Sequence, residues 1–191
     1  MKIATRPPVR LDLLLTLTRL HREGVAARMT RGFAPSRQEL LEIVRWERRS
    51  ARELEQVFEV HGWPGPDLVG EVGAEAAWWV ALLCDRQSVF QQSALQYLLE
   101  AVERGDAPAR HGAYFTDRVL MHQDAPQLYG TQYVPDTGGA IVRYPVADPG
   151  LLGLRRYRVG LPKTAEARPA DVRLMALTRL PRAPAGLPSL R

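Results

Sequence analysis

The chain of 191 residues predicts a mainly α-helical fold, a compact bundle of four or five helices with one short β-hairpin near the C-terminal third. Three observations carry this expectation. Apolar residues recur at helical spacing through most of the first two thirds, Gly and Pro cluster at the breaks, and two β-forming runs flank a Pro-Asp-Thr-Gly-Gly turn.

Leu11, Leu14, Leu15, Leu17 and Leu20 form an apolar stripe that predicts a helix over 10–31, ended by Gly24 or Gly32. Ser36, with Glu39 three residues on, reads as a capping box. It opens a helix to about Val60 carried by Leu40, Leu41, Ile43, Val44, Leu54, Val57 and Phe58. His61-Gly62-Trp63-Pro64-Gly65-Pro66 is a break, since two prolines and two glycines do not continue a helix. Residues 71–84 are apolar almost all round and predict a buried central helix, in which only one of the neighbours Trp78 and Trp79 turns fully inward. Helices over 87–103, stopped by Gly105, and over 110–123 follow. Leu128 to Val134 and Ala140 to Pro145 read as the strands of a hairpin with a turn at 135–139. Asp148-Pro149 then opens a short basic helix through about Val159. We read 1–162 as a single domain with the hairpin at 128–145, and 163–191 as a basic tail rich in Pro, Ala and Arg.

Composition sets the class. An apolar share of 46% with 25% charged residues is that of a folded chain, not a disordered one. Asp12, Thr16, Thr18 and Arg19 interrupt the apolar run Leu11 to Leu20, so neither a membrane span nor a secretory leader is expected. One cysteine, Cys84, makes no internal disulfide, and a reducing cytoplasm is the expected compartment. The net charge of +5 is unevenly spread: residues 1–31 hold seven basic and two acidic groups, 151–191 nine and two, and 32–150 ten and seventeen. A core that repels phosphates argues against specific nucleic-acid binding and leaves the basic ends to meet an acidic partner.

Familiar motifs fail. Gly65 to Gly70 has the gap of a phosphate loop, but Glu71-Val72 stand where Lys and Ser or Thr belong. His21, His61, His111 and His122 are scattered over different elements, so no metal site and no cofactor are expected. Cys84 ends the most apolar helix and reads as an inert small hydrophobe. Glu47 could point inward, although its ordinary reading is a solvated helix carboxylate.

From His61 to about Leu161 the chain resembles a bacterial family of uncharacterised proteins, the domain of unknown function numbered 6624. The matching segments are His61-Gly62-Trp63-Pro64; Val69-Gly70 with Ala74, Ala76, Ala77 and Trp78; Asp85; Phe90-Gln91; Asp117-Arg118-Val119; and Pro126-Gln127-Leu128-Tyr129-Gly130-Thr131-Gln132. The resemblance implies that Asp85 follows Gln-His-Ala, whereas Leu82-Leu83-Cys84 stand here; if the family uses that histidine chemically, this chain has lost or reassigned the step.

The polar residues of these segments admit two readings. As structure, Asp117 and Arg118, which diverge by about 100° on a helix, tie the hairpin to the helices, and Thr131 and Gln132 satisfy strand ends. As function, they rim a pocket between helix and hairpin for a small polar ligand. Asp85 or Asp117 would then be the general base, and His122 an acid–base group on the face it shares with Tyr114 and Arg118. Arg118 would anchor an anionic group, and Tyr129, Thr131 and Gln132 would orient the substrate of a cofactor-independent enzyme. The same pocket or the basic ends would serve a non-catalytic binding or accessory protein. A ligand-facing role for Gln132 and Tyr129 predicts that Gln132→Ala and Tyr129→Phe cost little stability, whereas Arg118→Ala costs much.

Overall fold

The computed structural model describes residues 9–29, 36–136 and 140–163. Among them are six α-helices and one two-stranded antiparallel sheet, so the fold is mainly helical. Backbone contacts divide the chain into two compact units: one holds the first four helices, the other the fifth helix, the hairpin and the sixth helix.

In the first unit α1 spans Leu11–Met29, α2 Arg37–His61, α3 Pro66–Leu83 and α4 Ser88–Arg104. Ser36 caps α2 as the sequence predicts: its hydroxyl accepts from the Glu39 backbone N–H at 3.3 Å, and its own N–H donates to the Glu39 carboxylate at 2.7 Å. The predicted start at residue 71 proves to be a kink. Gly65-Pro66 already begins a helical turn, and Gly70 interrupts it with φ +70°, a conformation that Glu71 and the residues after it do not have to share. Gly105 stops α4 in the left-handed conformation.

Buried side chains of this unit include Leu17 and Leu20 of α1, Leu54 and Phe58 of α2, Ala77 to Leu83 of α3 apart from Trp79, and Leu98 of α4. Trp78 is buried and Trp79 half-buried, as adjacent helical positions require. Trp79 stacks on His21 at 5.8 Å and donates its indole N–H to Glu75 at 3.2 Å. Burial lowers the His21 pKa from its ordinary value, against the opposing pull of Glu75.

In the second unit α5 spans Ala109–His122, β1 Tyr133–Pro135, β2 Ile141–Arg143 and α6 Leu152–Arg158, the last entered through a 3-10 turn at Pro149–Leu151. The strands pair Tyr133 with Arg143, Val134 with Val142 and Pro135 with Ile141. Met121, Val134 and Tyr144 form the hydrophobic centre, with Val142 against it. The ladder is shorter than the predicted runs because Leu128, Tyr129 and Thr131 spend their N–H groups elsewhere, as described below. Most of the predicted turn, and the predicted tail from residue 164, lie outside the described residues.

Candidate functional site

Asp117 and Arg118 are adjacent on α5 and both are completely buried, so each needs partners that its neighbour on the helix does not supply. Asp117 meets the loop between α5 and β1. Its Oδ1 accepts the N–H of Leu128 at 2.7 Å and of Tyr129 at 3.0 Å; its Oδ2 accepts the N–H of Thr131 at 3.0 Å and the Thr131 hydroxyl at 2.8 Å. Consecutive N–H groups converge on one carboxylate only if the chain between them reverses. Gly130, at φ +64°, supplies that reversal, and it forms a backbone cradle for an anion whose occupant is the protein's own side chain. Burial raises the Asp117 pKa from its ordinary value, and the donors from Thr131, Tyr129 and Leu128 oppose that rise.

Arg118 turns the other way and donates from Nη1 to Gln132 Oε1 at 2.9 Å. The Gln132 amide is engaged at its other end too, donating to the Thr131 hydroxyl at 3.0 Å and the Tyr114 carbonyl at 3.4 Å. Gln127 completes the arrangement. It accepts the Gln132 N–H at 2.8 Å and donates to the carbonyls of Gln132 at 3.0 Å and Tyr144 at 2.7 Å, so one side-chain amide extends the strand ladder. The structure therefore brings together Asp117, Arg118, Thr131, Gln132 and the Tyr129 backbone. The Tyr129 ring is half-buried, and its carbonyl accepts from Arg156 Nη1 at 2.7 Å. His122, the last residue of α5, is half-buried.

Asp85 belongs to the first unit and to a different cluster. Glu47 of α2 is completely buried there, which overturns its ordinary reading as a solvated helix carboxylate. It accepts from Arg28 at 2.9 Å, from the Arg86 guanidinium at 2.9 Å and from the Arg86 backbone N–H at 3.2 Å. Arg28 also caps α3 by donating to the Leu83 carbonyl at 2.6 Å, and its guanidinium lies 4.7 Å from the Trp46 ring centroid. Gly24 makes the room, because a Cβ there would stand 2.3 Å from the Trp46 ring. Half-buried Asp85 acts on this group through its charge: it favours the charged form of Arg28 and disfavours that of Glu47. Burial, the larger cause, pushes Glu47 up from the usual carboxylate range and Arg28 down from its own. Cys84 is fully buried, and burial raises its thiol pKa well above the ordinary value, which suits the inert role expected of it.

Three members of these clusters, Gln127, Arg28 and Arg86, escaped the sequence reading. Gln127 lies inside a segment singled out there, yet nothing in its spacing marks a side chain that bonds three backbone groups. Arg28 and Glu47 are 19 residues apart, and Glu47 and Arg86 are 39 apart, so only the packing of helices reveals them. Among the described residues no group of three potential ligands could hold a metal ion, and no helix is long and apolar enough to cross a membrane.

Comparison with known proteins finds no match among curated proteins and none among solved structures. The sequence model of a family of unknown function, DUF6624, matches residues 21–175, beyond both ends of the stretch from 61 to 161. That match covers most of the chain, including both polar clusters, and the chain belongs to the DUF6624 family.

Proposed function

We propose that the chain is a non-catalytic binding or accessory protein rather than an enzyme of small polar metabolites. The observation that carries this reading is the saturation of Asp117. A general base needs a lone pair aimed at substrate, and both oxygens of this carboxylate are taken by donors from residues 128–131. Arg118 and Gln132, the candidate anchor and orienting group, are buried against each other. Leu83, where the resemblance implies a histidine, is a fully buried aliphatic side chain with no proton to exchange. The polar segments thus act as a clasp that fixes the hairpin to α5 and leaves recognition to outer surfaces.

A thermal-shift panel of small polar metabolites tests the reading. No compound should raise the melting temperature in a way that depends on Tyr129, the half-exposed ring of the group. A metabolite that stabilises the wild type but not Tyr129→Phe, with the variant's own melting temperature unchanged, would restore the enzyme or small-ligand reading.

A further inference from the structure

The outer side of α6 is built unlike the other helix surfaces of its unit. Its inner side is fastened mainly by arginines on carbonyls: Arg155 Nε donates to Leu128 O at 2.7 Å and its Nη2 to Ala147 O, while Arg156 Nε donates to Pro162 O at 2.6 Å. Leu152 and Arg156 are buried beneath the helix. The outer side carries Leu151, Leu154 and Tyr157 at steps of three residues, exposed by 53%, 49% and 65%. Cations accompany them. Arg158 is exposed, and the Lys163 ammonium lies over the Tyr157 ring at 5.0 Å from its centroid. No Asp or Glu occurs between Leu151 and Lys163.

An exposed apolar row bordered by cations from Arg158 to Lys163, with exposed Asp148 at the entrance to the 3-10 turn as the one nearby carboxylate of its segment, is complementary to one kind of occupant. We infer that this face docks an acidic amphipathic segment of a partner protein, one whose apolar side chains lie on Leu151, Leu154 and Tyr157 while its carboxylates meet Arg158 and Lys163. The inference rests on the non-catalytic reading and names its surface and partner chemistry. The stacked ammonium matters to specificity: a carboxylate that reaches Lys163 is brought beside the Tyr157 ring, so charge and apolar contact are read together. A lipid surface is the weaker fit, because three apolar side chains with two cations provide little to bury in a headgroup layer.

The test uses the full chain and a fluorescein-labelled helical peptide with Leu at steps of three and four and Glu elsewhere, followed by anisotropy. The control peptide carries Lys for Glu. We expect the Glu peptide alone to bind, added salt to weaken it, and Leu154→Ser and Arg158→Glu each to reduce affinity by about tenfold with the melting temperature unchanged. Undiminished binding in both variants would overturn α6 as the surface while leaving the binding-protein reading intact. No binding of the Glu peptide, or binding only to vesicles of phosphatidylserine and phosphatidylcholine, would overturn the proposed partner. A metabolite that acts through Tyr129 would instead remove the reading beneath it.

Discussion

Replacing Asp117 by asparagine exchanges one carboxylate oxygen for an NH2 group and leaves the volume nearly unchanged, so it isolates the acceptor role. In the wild type the carboxylate serves three backbone N–H groups and one hydroxyl. An amide oxygen can serve only part of that set, and the NH2 must face another donor. Thr131 is buried, so water does not replace its lost bond; Leu128 and Tyr129 are half-buried and partly recover theirs from solvent. A hydrogen bond to a charged acceptor is worth about 1.5–3 kcal/mol, and a buried donor left unmade costs about 1–3 kcal/mol. Removing a buried charge returns some desolvation energy, so the net loss is about 3 kcal/mol. For a chain of this size that is a fall of about 6–12 °C in Tm. Calorimetry reads the fall, and hydrogen exchange at the amides of Leu128, Tyr129 and Thr131 locates it. If Asp117→Asn melts within a degree of the wild type and those amides stay protected, the carboxylate does not hold the loop and the clasp is wrong.

Three further outcomes follow from the same geometry. Arg118→Met and Gln132→Leu should each destabilise by about 2–4 kcal/mol, and the double variant by less than their sum, because either change alone already removes the bond that the two side chains share; additivity in denaturant titrations would refute the pair. Glu47 has its pKa raised above the ordinary 4.5, so its protonation favours the folded state. Its contribution is fully present below the unfolded value and is lost as pH rises through the folded one. Wild type should therefore gain stability relative to Glu47→Gln as pH falls from neutrality toward 4.5, and a relative loss in that window would show a depressed pKa instead. Gly24→Ala should cost about 1–3 kcal/mol, since the added methyl meets the Trp46 ring, and an unchanged Tm would show that the indole has room to move.

What was legible in the sequence had local causes. The Ser36 capping box, the stop at Gly105 and the split between Trp78 and Trp79 each depend on residues within a turn or two of one another. The divergence of Asp117 and Arg118 was also legible, because helical geometry alone sets it. Their partners were not. The runs from 128 and from 140 look like full strands by composition, but Asp117 takes the N–H groups of Leu128, Tyr129 and Thr131 and the Gln127 side chain takes that of Gln132, so the regular ladder is confined to Tyr133–Pro135. Likewise Glu47 carries no local mark of burial. Arg28 and Arg86 come to it from distant parts of the chain, and the same residue on an isolated amphipathic helix would face water.

The side chain on which the two accounts of this chain differ most is Gln132. As a pocket residue it would tolerate truncation; as a member of the clasp it bonds Arg118, Thr131 and Tyr114 from a buried position. The melting temperature of Gln132→Ala, with and without the metabolite panel, decides between them. We expect a fall of several degrees, because truncation removes the buried acceptor of Arg118 together with the bonds of the Gln132 amide to Thr131 and Tyr114, and no compound whose effect distinguishes variant from wild type. An unchanged melting temperature, together with a metabolite that stabilises only the wild type, would contradict the account.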